Sequence, residues 1–193
     1  MVGAPDQAFS DIDPNAGLPF LRVVEGPDSG TDFALAFGHS SIGRDSKMTV
    51  ALSDDASSRL HCEVIYRRNG FWIRDAGSTN GTWCNDHRIA EHELMFGDRI
   101  KVAETEMVFT CDGHELRAKD ASRAIEAFEA CVARGPDFVQ ALKVLAFLLE
   151  RDVARRPEAG PIWQRIATLE GGVGGVCCSS GHAAQIMALF PLM

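Results

Sequence analysis

Three short stretches of this chain carry the donors that a bound anion requires: Gly43-Arg44, Ser58-Arg59-Leu60-His61 and Gly77-Ser78-Thr79-Asn80-Gly81-Thr82. Arg44 brings a planar guanidinium, Ser58 and Thr79 bring hydroxyls, and Asn80 brings an amide that both donates and accepts. A phosphate dianion is held well by this mixture, one fork-shaped cation with several neutral donors fixed around it. The chemistry is recognition rather than reaction. No nucleophile elbow, metal-binding helix or Walker-type loop accompanies these residues. Gly171-Gly172-Val173-Gly174-Gly175 has no Lys-Ser/Thr behind it and follows no strand, so it is not a phosphate loop. No catalytic residue, no cofactor and no metal site is expected.

All three stretches fall between segments with the texture of β-strands. Residues 18–24 form an apolar run closed by Glu25-Gly26-Pro27-Asp28-Ser29-Gly30, a dense cluster of turn residues. Short runs at 31–37, 40–44 and 49–52 follow. Residues 61–67 alternate, with Cys62, Val64 and Tyr66 on one face and His61, Glu63 and Ile65 on the other. Asn69-Gly70 reads as a tight hairpin turn and 71–75 as its return strand. Strands are further expected at 82–85, 88–89, 99–103 and 106–111. Roughly ten short strands with no helical pattern among them predict an all-β sandwich.

The texture changes near Glu115. Ala121, Ala124, Ile125, Phe128 and Cys131 form an apolar stripe at helical spacing, ended by Arg134-Gly135-Pro136. Phe138, Leu142, Leu145, Ala146 and Leu149 form a second stripe. Ala159, Ile162, Trp163, Ile166 and Leu169 form a third, with Pro157 placed to begin it. Ala124, Phe128 and Cys131 recur as Ala159, Trp163 and Ile166, each displaced by 35 residues. That period resembles the tetratricopeptide repeat of about 34 residues. A helical hairpin capping the sandwich would carry the same stripes. The expected organisation is therefore a loose leader at 1–17, a sandwich at 18–112, a helical segment at 115–170, and a Gly-rich hinge with an apolar tail at 171–193. A short helix is expected within that tail, at 182–190. The fold class is α+β multidomain.

Bulk composition narrows the partners. The chain has 193 residues, 46% of them hydrophobic and 24% charged, which suits a globular protein with a core. Its formal net charge of −8 repels nucleic acid and acidic membranes, and no basic run compensates. The six cysteines include no Cys-x-x-Cys pair and no zinc-type Cys/His spacing. The leader lacks the apolar stretch of a signal peptide, and no segment reaches membrane-spanning length. Free thiols in a reducing cytoplasm are expected.

Taken together, Ser41-Ile42-Gly43-Arg44, Ser58-Arg59-Leu60-His61, Trp72-Ile73-Arg74-Asp75, Gly77-Ser78-Thr79-Asn80-Gly81-Thr82, Asn85 and Gly97-Asp98-Arg99-Ile100 resemble the forkhead-associated (FHA) domain over about half the chain. The resemblance implies a β-sandwich whose loops at one end bind a phosphothreonine peptide without catalysis. It makes Arg44 the principal phosphate contact and Ser58 the second. It puts Thr79 near the phosphate and Asn80 on the peptide backbone. Arg59 either adds charge at the rim or faces solvent. Gly43, His61, Gly77 and Gly81 support the site, Gly43 by letting the chain turn sharply before Arg44. Ala103 stands where the family commonly has glycine, at a position expected to be far from the binding loops. Asp54 and Asp55 are expected to face solvent.

The leading expectation is an adaptor that docks a phosphothreonine-containing protein, a Ser/Thr kinase or its substrate. The competing one is a phosphate-independent scaffold in which the helical segment recognises partners through a groove.

Overall fold

Alternating apolar and polar residues closed by turn residues favour strands, and a computed structural model of the chain describes residues 17–116 and 120–171, with eleven strands among them. The expected leader before Gly17, Cys177, Cys178 and the tail with its helix at 182–190 lie outside the described residues. In chain order the strands are β1 Phe20–Glu25, β2 Asp32–Ala34, β3 His39–Gly43, β4 Val50–Ala51, β5 Cys62–Arg67 and β6 Gly70–Asp75. They continue as β7 Thr82–Cys84, β8 His87–Ile89, β9 Glu91–Leu94, β10 Arg99–Val102 and β11 Thr105–Thr110. One sheet has the order β2-β1-β11-β10-β7-β8, the other β4-β3-β5-β6-β9. Pairing is antiparallel except between β3 and β4. Inward residues of the first sheet (Leu21, Val23, Ile100, Val102, Met107, Phe109) face Ile42, Val64, Phe71, Ile73 and Leu94 of the second, all buried. Each such side chain contributes roughly 1.5–3 kcal/mol of burial.

Two details depart from the sequence reading. Strand β9 was not anticipated, because Glu91-His92-Glu93-Leu94 carries its alternation on Leu94 and a half-buried His92 beside two exposed glutamates. The β5–β6 turn is centred one residue early. Arg68 and Asn69 have φ of 51° and 62°, and Gly70 already pairs with Arg67. Both central residues at positive φ define the turn that matches strand twist.

Beyond β11 the chain forms α1 Asp112–Leu116, α2 Ala121–Arg134, α3 Val139–Arg151 and α4 Ala159–Leu169. The Asp120 carboxylate caps α2 by accepting the Arg123 N–H at 3.1 Å. Pro157 lies in a 3-10 turn, Arg156–Glu158, that leads into α4. The expected stripes are the inward faces, Ala121 excepted, which is exposed.

Most of these faces join the core of the sandwich, while Leu142, Ala146 and Ile166 form a small second cluster with their neighbours on the helices. Phe138, 1% exposed, has its ring centroid 5.3 Å from Phe71, 5.5 Å from Phe96, 6.0 Å from Phe37 and 6.2 Å from Tyr66. The Tyr66 hydroxyl donates to Asp137 Oδ1 at 2.7 Å, and the Val139 N–H donates to Asn69 O at 3.2 Å. Burial, then the Asp137 carboxylate, pushes the Tyr66 hydroxyl pKa up. Phe37 packs on Gly135 so closely that a Cβ there would overlap its ring. The strand directions put all of these contacts at one end of the sandwich, where β5 ends and β6 begins. The other end, where β3 and β6 finish, is left to the loops. Cys62, Cys84 and Cys131 carry free, buried thiols, and Cys111 is buried as well. Among the described residues no helix is long and apolar enough to cross a membrane.

Candidate functional site

At the open end three connections run side by side: 44–49 between β3 and β4, 52–61 between β4 and β5, and 76–81 between β6 and β7. They are bonded to one another before any ligand is considered. The Arg44 N–H donates to Ser58 O at 3.1 Å and the Asp45 N–H to Arg59 O at 3.3 Å. Those bonds require two backbones in contact. A Cβ on Gly43 would overlap the Arg59 carbonyl oxygen and sit 2.8 Å from Ser58 O. Gly43 does not lie in the left-handed region. Its role is close approach, where the sequence reading expected a sharp turn. Gly43→Ala forces the 58–59 backbone outward and is expected to cost about 1–3 kcal/mol in urea denaturation, the usual range for overpacking.

His61 is the pin between the second and third loops. Fully buried, it takes the Ser58 N–H on Nδ1 at 3.2 Å and reaches Gly81 O from Nε2 at 3.1 Å. A carbonyl only accepts, so Nε2 carries the proton and the ring is neutral with Nδ1 as acceptor. Ser58 Oγ accepts the Thr79 N–H at 3.2 Å, which leaves the Ser58 O–H free to donate. Asn80 gives one N–H to Ala56 O at 3.0 Å, which orients the amide and leaves Oδ1 as an acceptor. Gly77 and Gly81, with φ of 79° and 78°, supply the left-handed steps of the third loop.

Asp75 organises that loop from below. Its Oδ2 accepts the Gly77 and Ser78 N–H groups at 2.9 and 3.1 Å, and Oδ1 accepts the Ser78 and Thr82 hydroxyls at 2.6 and 2.7 Å. Burial opposes ionisation, but the four hydrogen bonds outweigh it and hold the carboxyl below its ordinary range. The sign follows from linkage. A carboxyl depressed in the folded state stabilises above its unfolded pKa, about 3.9, and that stability is lost as pH falls through the lower folded value. Urea midpoints measured from pH 6 down to pH 2 are expected to fall in the acid limb, and Asp75→Asn is expected to flatten that limb while lowering the midpoint at pH 6.

Asp54 corrects the sequence reading. It is 2% exposed and does not face solvent. Its Oδ1 accepts the Ala56 N–H at 2.9 Å, and its Oδ2 accepts the Glu104 N–H at 2.9 Å and the Thr105 hydroxyl at 3.0 Å. Asp54 thus ties the second loop to the β10–β11 turn. That turn is also nearer than expected. Ala103, at φ 54°, lines a cleft of about 390 Å³ with Asn80 and Trp83. A positive φ at this position is one that glycine adopts without strain.

Arg44 and Arg59 are exposed, and among the described residues neither guanidinium has a hydrogen-bond or ion-pair partner. Thr79 and Asn80 are exposed beside them. Sequence reasoning missed Arg88, whose guanidinium rests against Gly81, its Cζ 2.9 Å from where a Cβ would stand. The β7–β8 register, Thr82 opposite Ile89, brings it there. Unengaged cations thus gather at one end of a chain whose formal net charge is −8.

Comparison with known proteins bears on this end of the molecule. A family model described as "FHA domain" matches residues 40–103. The chain is 33% identical over 108 residues to the oxoglutarate dehydrogenase inhibitor of Corynebacterium diphtheriae, covering 56% of this chain and 76% of that protein. It is 33% identical over 114 residues to the glycogen accumulation regulator GarA of Mycobacterium tuberculosis, covering 56% of this chain and 70% of that protein. A solved FHA domain studied for phosphothreonine-dependent interactions is 29% identical with a TM-score of 0.45, covering 48% of this chain and 95% of that structure.

Proposed function

The chain belongs to the FHA-domain family, and on that premise we propose that it is a phosphothreonine-peptide-binding adaptor in Ser/Thr kinase signalling. The observation that carries this reading is the pair of unengaged guanidiniums, Arg44 and Arg59, on loops already pinned together by His61 and by the Ser58 Oγ–Thr79 N–H bond. The site needs little rearrangement to accept a dianion, so little of the binding energy is lost to ordering. Arg44 forms the fork to two phosphate oxygens. The Ser58 O–H donates to a third, with the Thr79 hydroxyl beside it. Arg59 and Arg88 raise the local potential at the rim. Asn80 Oδ1 accepts a peptide N–H next to the phosphothreonine and fixes the direction of the bound strand.

The partner is a phosphothreonine-containing protein, a kinase or its substrate. The relatives are named for inhibiting an enzyme and for regulating glycogen accumulation, which supports a regulatory role without catalysis. Buried free thiols fit a reducing cytoplasm. The test is titration of one peptide in threonine, phosphothreonine and phosphoserine forms against the full chain. Preference for the phosphothreonine form is expected; equal affinity for phosphorylated and unphosphorylated peptide rejects the reading.

A further inference from the structure

One cluster of metal-ligating side chains lies away from the loops. The sequence has no Cys-x-x-Cys pair and no zinc-type Cys/His spacing, but the fold assembles a set from three different elements. Cys84 Sγ at the end of β7, a His92 ring nitrogen on β9 and an Asp98 carboxylate oxygen before β10 all lie within 4.8 Å of one another. Cys84 is 3% exposed, and the Asp98 and His92 side chains are 13% and 40% exposed, so the cluster has a dry back and an open mouth. His92 Nε2 and Asp98 Oδ2 are 3.3 Å apart. Bonds of about 2.0–2.1 Å to a tetrahedral zinc ion imply a nitrogen-to-oxygen edge of roughly 3.3 Å. That edge is already formed.

The carboxylate is also held for the purpose. Asp98 Oδ1 accepts from Asn85 Nδ2 at 2.8 Å and Oδ2 accepts the Met95 N–H at 2.8 Å, and the second lone pair of Oδ2, which faces His92 Nε2 at 3.3 Å, is the one a metal would take once the His92 proton has moved. Outer partners of this kind orient metal ligands.

We propose that Cys84, His92 and Asp98 form a binding site for a borderline transition-metal dication of the zinc class, with water in the fourth position. One thiolate, one imidazole and one carboxylate suit zinc and do not suit magnesium or calcium, which take oxygen ligands. Binding releases the Cys84 S–H proton, and the His92 proton moves to Nδ1 so that Nε2 presents its lone pair. Cys84 belongs to the first sheet and His92 to the edge strand of the second, so the ion staples the two sheets on their open side. The site is separate from the phosphate loops and does not depend on the function proposed for them.

The test uses the full chain with Cys177→Ser and Cys178→Ser, so that those adjacent thiols contribute nothing. Zinc titrated calorimetrically is expected to bind at one equivalent and to raise the melting temperature. Cobalt is expected to give a thiolate-to-metal charge-transfer band that zinc removes. Cys84→Ser should abolish that band. His92→Gln, at a half-open edge position that the fold tolerates, should weaken binding at least about 100-fold, and Asn85→Ala about 10–100-fold. No stoichiometric zinc binding, a cobalt complex without the thiolate band, or unchanged affinity in His92→Gln each overturns the proposal.

Discussion

Arg44→Ala is expected to weaken phosphothreonine-peptide binding by 2–5 kcal/mol, about 30- to 4000-fold, with no loss of fold stability. The loss is large because the phosphate desolvates the guanidinium on binding, and the variant leaves the dianion in direct contact with neutral donors alone, with Arg59 and Arg88 only at the rim. The fold is spared because the Arg44 side chain is exposed and has no partner among the described residues. Its backbone N–H still donates to Ser58 O in the variant. Arg44→Lys should recover only part of the affinity, since an ammonium cannot make the two parallel bonds of a guanidinium. Calorimetric titration of one phosphopeptide against the three proteins measures this. Equal affinities would show that the phosphate does not sit on Arg44. The contrast with Gly43→Ala is diagnostic, because that change strikes stability and binding together.

Phe138→Ala should have the largest effect on stability, about 3–5 kcal/mol, in line with deletion of a buried phenylalanine. Phe138 opens α3, yet its ring sits among Phe37, Tyr66, Phe71 and Phe96 of the sandwich. The expected consequence is one cooperative transition shifted to lower urea, with tryptophan fluorescence and far-ultraviolet circular dichroism moving together. A helical signal that melts first, with the sandwich transition unchanged, would instead make residues 115–170 an independent unit. Phosphopeptide affinity should survive the substitution under folding conditions, because the aromatic cluster and the binding loops occupy opposite ends of the sheets. The same geometry bears on the scaffold alternative. The apolar stripes of the helices are largely buried against the sandwich and against one another, and no observation favours that reading over phosphate recognition.

Much of the fold was legible in the chain itself. The alternation in Arg99-Ile100-Lys101-Val102 appears directly as exposed, buried, exposed, buried in β10. The helical stripes from Ala124 to Ile166 are the buried faces of α2, α3 and α4. Strand β9 was not legible, since an edge strand needs only one buried face and here most of its residues are charged or polar. Asp54 was misread for a related reason. A carboxylate next to another carboxylate looks solvated, and only the approach of the Glu104 N–H and the Thr105 hydroxyl, some fifty residues away, makes its burial tolerable.

The candidate site divides along the same line. Local sequence determined which loops turn and which donors they carry: Arg44, Ser58, Arg59, Thr79 and Asn80 stand where strand segments end, because backbone alternation and turn chemistry act over a few residues. The tertiary structure alone decided what those loops lean on. Gly43 is glycine because the Arg59 carbonyl passes beneath it, His61 is neutral because it bridges Ser58 and Gly81, and Arg88 reaches Gly81 through the β7–β8 register. Cys84, His92 and Asp98 meet because two sheets close on one another. These contacts join residues on different strands and loops, and their energies exist only once the sandwich has brought the partners within hydrogen-bonding or ligating distance. Spacing along the sequence carries no trace of them.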